Sequence, residues 1–164
     1  MKFPFSIFIL ILFISGIQPQ ILNAQPKIVK FSTIDSLLHH RSDSLLVINF
    51  WATWCKPCVS ELPYFEELKK NYSSEKVKLI LVSLDFKREF ESRVKPFIEK
   101  NNIASEVLLL DEPDYNSWID KVDATWSGAI PATVVIAGSK KMFFEKEFIS
   151  YAELENIIKP LIQK

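Results

Sequence analysis

The apolar run Leu45–Ala52, broken only by Asn49, leads directly into Cys55-Lys56-Pro57-Cys58. A short continuous apolar run reads as a strand buried on both faces, as at the centre of a parallel sheet. The pattern that follows is helical from Cys55 to about Lys70, with Leu62, Phe65 and Leu68 on one face. Both thiols therefore stand at a strand-to-helix turn, and the chain has to build a covered sheet around that strand. Cys55 falls where unpaired helix amides and the helix dipole favour an anion, and Lys56 adds positive charge beside it. Both effects lower a thiol pKa and raise the thiolate fraction, and the thiolate is the nucleophile. Cys58, one turn further in, is the more buried and suits the resolution of a mixed disulfide. Pro57 lies in the first turn, where a missing amide costs nothing.

These are the only cysteines in the chain. A purely structural disulfide over so short a loop restrains the unfolded chain little, by about 2 kcal/mol against nearly 5 for a loop of ~100 residues. A zinc site needs about four ligands, and only His39 and His40 are available to complete one. Those histidines read more simply as the last turn of a surface helix, where the dipole favours them. No metal site and no cofactor is expected beyond a redox-active Cys55–Cys58 disulfide. Lys+Arg and Asp+Glu balance at 20 each, which points to no nucleic-acid partner and no general attraction to anionic membrane.

The remaining pattern predicts an edge strand over Ile28–Phe31 and a helix opened by a capping box of Ser32 and Asp35, with Ile34, Leu37 and Leu38 inward. Further strands are expected at Lys78–Leu84 and Glu106–Leu110, with a helix over Lys87–Lys100 bent at Pro96. A short helix at Asp114–Lys121 and a loop at Val122–Ile130 precede a hairpin of Thr133–Ala137 and Met142–Ile149. Ser150 and Glu153 cap a last helix. Parallel crossovers ending in an antiparallel hairpin give an α/β fold, a central mixed sheet flanked by helices on both faces. Asp85 and Asp111 end strands, a common place for Asp. Trp54, just before the nucleophile, belongs to the substrate-facing surface. Trp51 packs near the sheet end, and Trp126 either lines the groove or packs the loop.

Lys2 followed by the nearly continuous apolar stretch Phe3–Ile17 and then Leu22-Asn23-Ala24 reads as a secretory signal peptide over residues 1–24, with residues 25–164 as the mature domain. The alternative is an uncleaved anchor, but the apolar run is shorter than the roughly 20 residues a spanning helix needs. An exported chain works in an oxidising compartment.

Trp54-Cys55-Lys56-Pro57-Cys58 after a buried strand resembles the thioredoxin active site, and more narrowly that of the exported TlpA/ResA-type thiol–disulfide oxidoreductases. Pro63 matches the proline of the active-site helix, Glu61 the active-site glutamate of that branch, and Ile130-Pro131-Ala132-Thr133 the loop with the cis-proline. The resemblance spans about residues 27–164 and implies a thioredoxin-like fold. Asn49 departs from thioredoxin, which carries a buried Asp there. Asn cannot be a base, so proton handling for Cys58 moves to Glu61, three residues on along the same helical face. A cis Pro131 would leave Ile130 backbone free to pair with an extended substrate. The resemblance implies a periplasmic, monomeric reductase of protein disulfides, re-reduced by a membrane or periplasmic thiol donor. A thiol peroxidase of the same broad fold and a copper- or haem-handling thiol protein are the alternatives.

Overall fold

Every residue of the run Leu45–Trp51 is buried, and the strand it forms sits inside a six-stranded sheet. The structure, a computed structural model, describes residues 25–39, 43–73 and 77–162. The elements are β1 (Lys27–Val29), α1 (Phe31–Leu38), β2 (Leu45–Trp51), α2 (Lys56–Asn71), β3 (Val77–Ser83), α3 (Lys95–Lys100), β4 (Glu106–Leu110), α4 (Ile119–Val122), β5 (Ala132–Ala137), β6 (Lys140–Phe144) and α5 (Tyr151–Ile162). The segment assigned to a signal peptide, and His40, lie outside the described residues. No helix among the described residues is long and apolar enough to cross a membrane.

The strand order is β1-β4-β3-β2-β5-β6. β2 pairs in parallel with β3 and antiparallel with β5, so the central strand joins a parallel half to an antiparallel half. Strand side chains alternate between faces, and β2 supplies both cores. Leu45, Val47 and Trp51 pack with Leu62, Phe65, Leu68, Leu154 and Ile158 on the side of α2, α3 and α5. Leu46, Ile48 and Phe50 pack with Phe31, Ile34, Trp118 and Trp126 on the side of α1 and α4. The α/β sandwich expected from the pattern is the one observed.

Several boundaries differ from the sequence reading, each for a physical reason. The first strand stops at Val29 and α1 begins at Phe31, capped by the backbone of Lys30 with no side-chain bond. The expected Ser32–Asp35 capping box does not form, because Phe31 turns inward to stack on Trp118 with ring centroids 5.7 Å apart. The segment Lys87–Lys100 is not one α-helix. It runs through a 3₁₀ turn, a π-turn over Phe90–Val94 and then α3. Pro96 has no amide for the carbonyl four residues back, and the wider turn lies directly before it. The hairpin strand β6 ends at Phe144 rather than Ile149, because Glu145 and Phe148 turn away to serve the loops described below. The Ser150 half of the α5 capping box does form, while the Glu153 carboxylate reaches one residue past the N-cap. Ser150 Oγ accepts from the Glu153 amide at 3.2 Å, and the Glu153 carboxylate accepts from the Ile149 amide at 2.9 Å.

Trp118, which periodicity did not single out, centres the second core. It stacks on Phe31 and Phe50, meets Trp126 edge-on, and donates its indole N–H to Glu112 O at 3.2 Å. Trp118→Ala is expected to cost about 3–5 kcal/mol of stability, read as a lower denaturant midpoint at unchanged slope.

Candidate active site

A parallel strand leaves the sheet at the end where an antiparallel neighbour enters it. The exit of β2 at Trp51 therefore lies beside the exit of β3 at Ser83 and the entry of β5 at Ala132. Chain segments distant in sequence meet there. A turn closed by the Cys55 amide on Ala52 O, at 3.1 Å, carries β2 into α2.

Cys55 and Cys58 are joined as a disulfide. Cys55 is the N-cap of α2, and its Sγ accepts from the Cys58 amide at 3.3 Å. Lys56 and Pro57 occupy the exposed first turn. A sulfur that accepts a helix amide at a helix N-terminus is stabilised as an anion once reduced. Cys55 retains 6% of its surface and Cys58 none. Trp54, next to Cys55, is 56% exposed.

On the other flank the Ile130–Pro131 peptide is cis. Ile130 O lies 3.7 Å from Cys55 Sγ. Two groups hold this loop. Trp126 Nε1 donates to Ala129 O at 2.8 Å, and its ring packs on Phe50 and Phe143. Of the two possibilities for Trp126, the structure gives the packed one. Glu145 accepts from the Ser127 and Ala129 amides, each at 3.1 Å, and from Ser127 Oγ. These donors, the Ser127 hydroxyl first, hold its carboxyl below the usual range. Gly128, at φ +91°, makes the bend between the two amides.

Beneath α2 the polar centre is Glu61, fully buried. Its Oε1 accepts from Asn49 Nδ2 at 2.7 Å and its Oε2 from the Phe148 amide at 2.8 Å. Asn49 Nδ2 also donates to Thr133 Oγ1 at 3.1 Å, while Asn49 Oδ1 has no partner among the described residues. Burial pushes the Glu61 carboxyl up to about 7, against the lowering effect of the two hydrogen bonds. Asn49, which cannot be a base, and Glu61, expected to take over that role, are in direct contact.

Three contributors escaped that reading. Asp85 accepts from the Thr53 amide at 3.0 Å, Thr53 Oγ1 at 2.5 Å and Ser83 Oγ at 2.8 Å, and so fixes the turn before Cys55. Its only sequence signal was its place at a strand end. Glu145 had no local signal. Phe148 contributes a backbone amide, which no residue type announces. Asp111, by contrast, binds Lys30 and Lys87, which hold its carboxyl low. It ties β4 to the segments after β1 and β3. Among the described residues no cluster of three or more His, Cys, Asp or Glu could hold a metal. A cavity of about 630 Å³ beside Ser36, Leu46 and Lys78 lies at the opposite end of β2 and β3 from the disulfide.

Two expected outcomes follow from this geometry. Glu61 binds a proton more readily folded than unfolded, so its contribution to stability is full below pH ~4.5 and is lost as pH rises through ~7. The move from 4.5 to about 7 corresponds to about 3 kcal/mol. Wild type minus Glu61→Gln, measured by denaturant unfolding, should fall by about that much from pH 4 to 8. Glu145→Ala should speed amide hydrogen exchange at Ser127 and Ala129 by about tenfold.

The model described as AhpC/TSA family matches residues 22–142. The chain is 32% identical over 74 residues to thioredoxin-like protein YneN of Bacillus subtilis, covering 45% of this chain and 43% of that protein. It is 39% identical over 62 residues to thiol-disulfide oxidoreductase ResA of Bacillus cereus, covering 38% and 34%. The chain thus spans less than half the length of these curated relatives. A thioredoxin-related protein from Neisseria meningitidis serogroup B superposes with a TM-score of 0.63 at 22% identity, over 79% of this chain and 92% of that one. That likeness shows the thioredoxin-like fold alone, and the thioredoxin-like, ResA-type resemblance read from the motifs is the one these comparisons return.

Proposed function

The chain belongs to the AhpC/TSA family, and from that premise we propose that it is an exported thiol–disulfide oxidoreductase that reduces protein disulfides. The observation that carries this reading is the position of the Cys55–Cys58 disulfide, with Cys55 on a helix amide and retaining a little exposed surface and Cys58 sealed beneath it. The Cys55 thiolate attacks one sulfur of a substrate disulfide. A Cys55–substrate S–S bond forms, the substrate bond breaks, and the released thiolate takes a proton. Cys58 then gives up its proton and attacks Cys55 Sγ. The intramolecular disulfide forms and the second substrate thiolate leaves, two electrons having passed to the substrate. Glu61, its carboxyl pushed up to about 7 and one helical turn from Cys58, accepts the proton that Cys58 gives up in that step.

Trp54 and the Ile130 backbone at Pro131 receive the substrate segment, and Lys56 and Pro57 tune the helix start. The oxidised chain is reset by a dithiol donor in the membrane or periplasm. Residues 1–24 are a signal peptide cleaved near Ala24, and residues 25–164 act as a monomeric periplasmic domain.

Cys55→Ser should abolish reduction of a protein disulfide, whereas Cys58→Ser should accumulate a mixed disulfide through Cys55, visible by non-reducing electrophoresis and mass spectrometry. Faster alkylation of Cys58 than of Cys55 in the reduced protein would reverse the assignment. Glu61→Gln should slow turnover roughly tenfold or more and remove the limb near pH 7 from the pH–rate profile. Peroxide consumption at a rate matching disulfide reduction would favour the thiol peroxidase alternative.

A further inference from the structure

We propose that a groove beside the disulfide, between Trp54 and the helical segment before and within α3, binds an acidic side chain of the substrate close to the disulfide being reduced. This rests on the oxidoreductase reading above. The groove encloses about 420 Å³ and includes Thr53, Trp54, Ser92, Arg93, Phe97 and Lys100 in its lining. It lies on the β3 side of the turn that carries Cys55, whereas the Ile130–Pro131 loop lies on the β5 side. A segment crossing the disulfide from Ile130 therefore arrives in this groove within a few residues of its reacting cysteine.

The lining is apolar at its base and cationic at its rim. Phe97 packs on the buried Trp51, with centroids 5.3 Å apart. Trp54 forms the wall nearest Cys55 and stands exposed. Arg93 and Lys100 carry the rim, and among the described residues no lining residue is acidic. Among the described residues the one carboxylate on Arg93 is Glu89 at 3.6 Å, a single long contact. It leaves guanidinium donors for a second carboxylate. The other oxygen of Glu89 is buried and turned away from solvent. Glu91 is taken up by Lys95 at 2.8 Å. Lys100 pairs with no carboxylate among the described residues, and exposed Lys56 stands on the neighbouring first turn of α2. The overall chain is neutral, so this local excess of positive charge is a property of the groove and not of the surface at large. Charge of one sign at an interface sets partner choice and encounter rate more than bulk affinity. The occupant that matches is a Glu or Asp on an extended substrate strand, its carboxylate between Arg93 and Lys100 and its stem along Trp54.

The test compares disulfide-linked peptides identical except for Glu, Gln or Lys near the cysteine, reduced by the full chain, with uncharged 2-hydroxyethyl disulfide alongside. The expected order of kcat/KM is Glu, then Gln, then Lys. Glu over Lys should amount to a factor on the order of three to ten at low ionic strength, shrinking as salt screens the pair. The ratio should fall to near one in Arg93→Gln/Lys100→Gln and persist in the charge-preserving Arg93→Lys/Lys100→Arg. Equal rates for the three peptides, or an unchanged ratio in the Gln double variant, would overturn the groove while the oxidoreductase reading stands. Failure to reduce any disulfide, the uncharged one included, would overturn both.

Discussion

A carboxylate sealed from water and held between one side-chain amide and one backbone amide sets the terms for the rest of the site. Desolvating an acid favours its neutral form, and hydrogen bonds to the anion oppose that. At Glu61 burial outweighs the two bonds, and the carboxyl is pushed up to about 7. This constrains its neighbours. Position 49 has to donate, and an Asp there would set a second negative charge against the first and drive the pair further from neutral titration. The chain after β6 has to fold over α2 so that the Phe148 amide reaches Oε2. This is why β6 stops as early as it does.

The sheet delivers these parts to one place. Because β2 is shared between a parallel and an antiparallel half, its exit collects the turn of Cys55, the end of β3 and the entry to β5. Each approach is then fixed by its own acid. Asp85 holds Thr53, Asp111 joins Lys30 and Lys87, and Glu145 holds Ser127 and Ala129. These acids take no part in the electron transfer proposed here. They determine where the groups that do take part are held. The loop of Ile130 is thus braced from two sides, by Glu145 through its amides and by Trp126 through a carbonyl, although neither residue touches the disulfide.

What could be read in the sequence was whatever depended on local pattern or on spacing along one element. The buried strand, the helix after the cysteines, the Ser150–Glu153 cap and the Cys58–Glu61 relation are of that kind. What could not be read depended on contacts between distant segments. Phe31 looked like a strand residue because its partner, Trp118, lies far along the chain, and that stacking overrode the local cap at Ser32. Glu145 looked like the middle of a hairpin strand, because its partners are backbone amides across the sheet end. Asp85 was visible as a strand-end acid, but only the fold reveals that it binds Thr53.

Asn49 and Thr133 are directly opposed across β2 and β5, both buried and joined by a hydrogen bond. In an otherwise apolar pair of strands, a slip of either strand by one residue would turn its member of this pair to the other face. There it would meet Trp118, Trp126 and the aliphatic side chains of the second core, cut off from its partner and from Glu61. Burying such groups unpaired costs about 1–3 kcal/mol each, and the mispaired sheet would also strand the carboxylate. The proton-handling cluster therefore doubles as an alignment key for the two halves of the sheet, so that a chain able to close its strands in this order has, by the same act, assembled its chemistry.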